Sequence, residues 1–311
     1  MGDRENFRKA EKPRPAFGIE ALHRAVRVVI ALVIIGAGAV SYPDRTSEPA
    51  ASPVDKAKED LSRFEYPSQV PISWRPHFLR PHDSLERLFG ADWATVARFN
   101  RLDRRHAYPG MTIKVPVDMA AARTYTPLPV HYEPAGPYPK YILLDLTEQW
   151  LGAYEYGVLR LSMPAATGTA EHPTPAGFFR VTARDRTHTS SLYKTEKEDA
   201  QYPMDYALMF YVGPDGVAFW IHARDLPGRP ASHGCVGVYD EFMQLRTYGT
   251  PEVPVLFDSR TLYDWAVGDE RHGIDSGTHQ DIFGGPVVEI RGELPRRLDK
   301  PPDIPPYRPP D

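Results

Sequence analysis

Ala207-Leu208-Met209-Phe210-Tyr211-Val212 is followed by Gly213-Pro214-Asp215-Gly216 and then by Ala218-Phe219-Trp220-Ile221-His222. Two runs of apolar and aromatic residues around a Gly/Pro/Asp break read as a β-hairpin. The same grammar extends in both directions. Upstream, Tyr141-Ile142-Leu143-Leu144-Asp145-Leu146 is apolar enough for a buried strand. Residues 150–156 and 158–163 read as its neighbours, with Tyr156-Gly157 as a tight turn, and residues 178–183 continue the series. Downstream, Asp240 offers a cap to a short helix carrying Phe242, Met243 and Leu245, and residues 253–257 read as a last strand. Repeated short strands with Gly/Pro/Asp turns predict a mainly β domain, a sandwich or a barrel. Beyond about Asp258 the pattern fades, and residues 295–311 are proline-rich and expected to be extended or disordered.

The hairpin leads into the chain's single cysteine, Cys235, in Ser232-His233-Gly234-Cys235-Val236-Gly237. A lone thiol with His222 and His233 close in sequence reads as a nucleophile, because an imidazole can supply the base that forms the thiolate. Gly234 lets backbone N–H groups face a developing oxyanion without a side chain in the way. A buried structural cysteine fits the polar Ser-His-Gly flank poorly. A zinc site from His222, His233 and Cys235 would need a further ligand or an open water position. His272 and His279 do not stand at a recognisable ligand spacing, and one cysteine excludes an intrachain disulfide. On chemistry alone either histidine can be the base.

Over residues 140–258 the chain resembles the catalytic domain of the L,D-transpeptidases, the YkuD-like family. The resemblance rests on Thr167-Gly168, Thr174-Pro175-Ala176-Gly177-Phe178-Phe179, Ile221-His222 and Ala231-Ser232-His233-Gly234-Cys235-Val236. It implies a β-sandwich-type catalytic domain without cofactor or metal. Its cysteine would attack a peptidoglycan tetrapeptide at the L-centre of meso-diaminopimelate, expel D-alanine and leave a thioester for an amine to resolve. Carried over by residue, Cys235 matches the nucleophile and His222 the base, oriented by the carbonyl of Ala223. His233 and Gly234 match the oxyanion and substrate-positioning segment, and Ser232 the hydroxyl that precedes it. Gly237 departs from the family pattern, where Arg or Asn is usual. Arg224 and Arg229 are the candidates to replace that side chain and to contact substrate. Two rival functions remain on the sequence: an L,D-carboxypeptidase using water, and a non-catalytic peptidoglycan-binding protein.

Residues 74–118 have their own pattern. Phe78-Leu79 suggests a strand, Asp83-Ser84 a helix cap, and Leu85, Leu88 and Phe89 one helical face. Trp93, Val96, Ala97 and Phe99 repeat that spacing, and Met111-Thr112-Ile113-Lys114-Val115-Pro116 is a short strand. The order, with Phe99-Asn100-Arg101-Leu102 and Tyr108-Pro109-Gly110, resembles a LysM module and implies binding of glycan strands containing N-acetylglucosamine. The usual Gly before Asp83 is His82 here.

The chain of 311 residues has a formal net charge of −4, so no basic field suggests nucleic acid. Residues 1–27 form a basic leader with Arg4, Arg8, Lys9, Lys12, Arg14, Arg24 and Arg27. Residues 28–42 are mostly apolar and read as a signal anchor or signal peptide, with the leader in the cytoplasm. Everything beyond is then expected outside: a linker at 43–73, the LysM-like module, a proline-rich linker at 119–139, the catalytic domain, and a C-terminal extension at 259–311. That arrangement predicts a periplasmic enzyme anchored in the inner membrane and working on peptidoglycan stem peptides. A solitary cysteine suits an oxidising compartment, where further thiols would pair.

Overall fold

The computed structural model describes residues 59–195, 197, 199–268 and 279–308. The basic leader and the apolar run at 28–42 lie outside these residues. Among the described residues, no helix is long and apolar enough to cross a membrane.

The chain enters through β1 (Phe64–Glu65), and a small antiparallel pair follows, β2 (Trp74–Phe78) against β3 (Thr112–Pro116). Between them lie α1 (Leu85–Phe89) and α2 (Trp93–Phe99), which gives the expected strand-helix-helix-strand order. Ser84 caps α1 by accepting the N–H of Arg87. His82 sits at φ 72°, in the left-handed region that glycine enters without strain. Leu85, Val96, Ala97, Ile113 and Val115 fill this small core.

The residues expected to be connectors are packed. Leu61, Phe64 and Tyr66, in the linker expected at 43–73, are buried in the same small core. In the linker expected at 119–139, α3 (Met119–Arg123) is followed by Leu128 and Ala135, which are buried against Tyr141, Leu143, Trp150 and Tyr154. Proline there fixes the path of a chain that still buries apolar side chains, each stabilising by ~1.5–3 kcal/mol when fully covered.

The main sheet begins with β4 (Tyr141–Asp145), β5 (Trp150–Glu155) and β6 (Val158–Ala166), antiparallel in sequence order. Tyr156 and Gly157 both take positive φ, 47° and 81°, as a two-residue turn between right-twisted strands requires. Then come β7 (Gly177–Arg180), the long β8 (Ala183–Lys194) and β9 (Gln201–Val212), β10 (Ala218–Arg224) and β11 (Val236–Tyr239). The Gly213–Gly216 turn closes as read from the sequence, with the N–H of Gly213 donating to Val217. Asp240 caps α4 (Glu241–Tyr248) through the N–H of Met243.

After that the structure departs from expectation. Residues 253–257 form no strand, and the pattern does not fade at Asp258. That residue opens α5 (Asp258–Val267), which buries Leu262, Tyr263, Ala266 and Val267 in the sheet's core. β12 (Gln280–Asp281) edges β8, and β13 (Val287–Arg291) inserts between β4, in parallel, and β7, antiparallel. β14 (Arg296–Arg297) pairs with β1. The tail then runs extended over the small core, where Tyr307 packs on His77 and Phe89 and donates its N–H to Pro76.

The ten strands run in the order β12-β8-β9-β10-β11-β6-β5-β4-β13-β7. Ile142, Leu144 and Leu151 from one half share a core with Leu208, Phe210, Ile221, Val236 and Val238 from the other. The sheet therefore folds over on itself as a sandwich, with β6 at the bend. The small module is keyed to it by Arg101, which is fully buried with its guanidinium 3.8 Å above the ring of Tyr66. Arg101 donates to the carbonyl of Glu148 and pairs with its carboxylate at 3.1 Å.

Candidate active site

β10 and β11 run in parallel with Ile221 opposite Val236 and His222 opposite Gly237. Side chains alternate across a sheet. Ile221, Val236 and Val238 point into the core, so Trp220, His222 and Arg224 share the other face with Cys235 and Gly237. The register brings the predicted nucleophile and base together on adjacent strands.

His222 is 4% exposed, and its Nδ1 lies 2.7 Å from the carbonyl oxygen of Ala223. A carbonyl only accepts, so Nδ1 carries the proton and Nε2 keeps its lone pair. Burial pushes the imidazole's pKa down to about 3, against the hydrogen bond to the Ala223 carbonyl, which favours the charged form, and with the charge of Arg224 adding to the lowering. Burial also raises the Cys235 thiol, against a backbone hydrogen bond from Trp220 and the charge of Arg224, both of which favour the thiolate. The resting pair is thus neutral thiol and neutral imidazole.

The Ser232–Cys235 loop is strapped from inside. Ser232 Oγ donates to the carbonyl of Cys235 at 2.5 Å and accepts the N–H of Gly234 at 3.1 Å. Thr174 Oγ1 donates to the carbonyl of Gly234 at 2.8 Å and accepts the N–H of Gly168. Thr167 accepts from the N–H groups of both Ala231 and Ser232. Gly234 takes φ 113°, and a Cβ there would stand 2.5 Å from the ring of Phe219. Its glycine requirement is steric, and its own N–H is engaged by Ser232. The ring of His233 stacks on Tyr193 at 4.2 Å and touches His172 at 4.8 Å.

The two arginines part company. Arg224 lies across Gly237, where an added Cβ would come within 2.5 Å of its Cδ. Its Nη2 donates to the carbonyl of Ala231 at 2.7 Å, and its Nη1 is buried without a partner. Arg229 pairs with Glu59 at 3.1 Å and lines a groove of about 350 Å³ with Phe64, Thr169, Ala170 and Leu294.

Sequence reasoning missed the groups around this face. Thr174 stood inside a quoted motif without a role. His188 stacks on Trp220 at 4.4 Å and bonds Asp185, which no local pattern announced. Asp103, His106 and Asp225 also converge, but as a latch between the small module and the strand exit. Asp103 accepts from His106, Gln244 and the N–H of Leu226, and Asp225 pairs with Arg105. Burial opposes charge on His106, yet the Asp103 carboxylate outweighs it and raises the imidazole's pKa.

Residues 139–268 match the family model for YkuD, the L,D-transpeptidase catalytic domain. The resemblance read from the motifs is thereby borne out for the catalytic domain. An L,D-transpeptidase from Stackebrandtia nassauensis is 19% identical, covering 66% of this chain and 69% of that one, with a TM-score of 0.35. One from Mycobacterium tuberculosis H37Rv is 16% identical, covering 50% and 58%, with a TM-score of 0.31. L,D-transpeptidase 3 from Mycobacterium tuberculosis, solved with a faropenem-derived adduct, is 19% identical, covering 50% and 60%, with a TM-score of 0.32. The chain spans under two thirds of the length of the mycobacterial structures. No curated protein matches it.

Proposed function

We propose that this protein is an L,D-transpeptidase that acts on peptidoglycan stem peptides through a thioester on Cys235. The observation that carries the reading is the parallel register that sets Cys235, His222 and Arg224 on one face of the sheet, the face away from the main core. The thiol is neutral at rest, so His222 Nε2 takes its proton as the sulfur attacks the donor carbonyl. The same proton then goes to the leaving D-alanine amine, and the acyl group stays on sulfur. The oxyanion is received by the N–H of Cys235, with His233 shaping the approach and Ser232 holding the loop's curvature. Arg224, with a donor left over and its stem in the space that Gly237 vacates, takes the place of the Arg or Asn side chain that the family usually carries there and meets the donor's carboxylate. Arg229 acts further out, along its groove.

Residues 28–42 hold the enzyme at the inner membrane, with the catalytic domain in the periplasm, and the LysM-like module rests on glycan strands. The test is incubation of a protein beginning at residue 59 with disaccharide-tetrapeptide, followed by mass spectrometry. A cross-linked product with loss of D-alanine is expected. Tripeptide alone would mark a carboxypeptidase, and no product a binding protein. A carbapenem adduct on the wild type that is absent from Cys235→Ala would place the acyl group on the sulfur.

A further inference from the structure

His222 is enclosed and already assigned to the donor half of the reaction, yet resolution of a thioester by an amine also releases a proton. A second imidazole stands beside it. His188 lies on β8, in the long hairpin that β8 makes with β9. Its Nδ1 is 3.1 Å from Oδ2 of Asp185, whose side chain is only 6% exposed, while the His188 side chain is 25% exposed. The carboxylate fixes Nδ1 as the protonated nitrogen and leaves the lone pair on Nε2. The ring stacks on Trp220 at 4.4 Å and 30°. Trp220 in turn packs with Cys235, Met204 and Ala207 in one cluster, and it gives the sulfur its backbone hydrogen bond. The dyad therefore stands against the indole that packs with the nucleophile, on the β8–β9 hairpin.

We propose that His188, oriented by Asp185, is the base that takes the proton from the incoming amine when the thioester is resolved. The inference rests on the transpeptidase reading above. The amine nitrogen bonds to the thioester carbonyl carbon, and one N–H proton passes to Nε2 of His188. Collapse then breaks the C–S bond, leaves its electron pair on Cys235, and the sulfur is reprotonated from His188. Two imidazoles thus divide the two half-reactions: a buried one for the thiol, and a solvent-reaching one for the acceptor.

The experiment times the halves separately by rapid quench and intact-mass analysis. His188→Gln should form the thioester with tetrapeptide donor at the wild-type rate when no amine is added. Resolution by a diaminopimelate-type amine should fall about 100-fold, within the range that general-base catalysis contributes. With hydroxylamine, already uncharged at neutral pH and so weakly basic that water removes its proton, the variant should resolve the thioester as fast as wild type. Asp185→Asn should show a smaller loss, again confined to resolution. Equal slowing of both halves, an unchanged resolution rate, or a defect that persists with hydroxylamine overturns the proposal. Absence of any thioester on the wild-type protein would instead sink the transpeptidase reading itself.

Discussion

His222→Gln should flatten the acid limb of the protein's stability curve. The native state holds this imidazole neutral down to about pH 3, whereas an exposed histidine titrates near 6.5. Between those values the unfolded chain binds a proton that the folded chain refuses. The sign follows: stability from this group is fully present above pH 6.5 and is lost as pH falls toward 3. Each pH unit in that window is worth about 1.4 kcal/mol, so the wild type should lose about 3 kcal/mol through His222 between pH 6.5 and 4. Urea unfolding at half-unit pH steps measures it. Carboxylates titrate in the same range, but the difference between wild type and His222→Gln cancels them. The difference curve should slope by about 1.4 kcal/mol per pH unit and level off above neutrality. Parallel curves for the two proteins would show that the imidazole is not desolvated, and the neutral resting pair would fall with it.

Gly237→Ala would place a Cβ 2.5 Å from Cδ and 2.6 Å from Cβ of Arg224. Since the Arg224 Cβ cannot rotate away, the strands must shift, and urea denaturation should register a loss of about 1–3 kcal/mol together with slower acylation; wild-type stability would refute the packing of Arg224 over Gly237. Truncation after Gly268 keeps the whole stretch matched by the family model but removes β13, with Val287, Val288 and Ile290 only 8%, 0% and 2% exposed. The shortened protein should show no cooperative unfolding transition by circular dichroism, and a sharp one would mean that the sheet closes without β13.

The hairpin at 207–222 was legible because two apolar and aromatic runs and the Gly-Pro-Asp-Gly turn between them agree on one local answer. The strand β13 was not. Val287-Val288-Glu289-Ile290-Arg291 carries two charges, and only the fold shows that Tyr132 and Tyr141 both donate to Glu289 and make its burial tolerable. Residues 253–257 carried enough apolar character to imitate the missing strand. The connectors misled for a related reason, since proline content speaks of path and not of burial. At the site, the residue types near Cys235 announced nucleophile and base, and register delivered them to one face. Their charge state was hidden, because desolvation depends on what covers a side chain. The sequence pointed to an imidazole that forms the thiolate; burial keeps thiol and imidazole both neutral at rest.

The placement of β13 bears on how the molecule comes to exist. Tyr141 on β4 donates to Glu289 on β13, 148 residues later. A growing or threading chain that has emitted β4 to β11 still lacks the strand that joins β4 to β7. Both edges wait with unpaired backbone groups, an invitation to strand exchange with a neighbour. Closing so long a loop is entropically expensive and comes late. Commitment to the native sheet is thus deferred until β13 has arrived, and Cys235 does not acquire its finished surroundings before then.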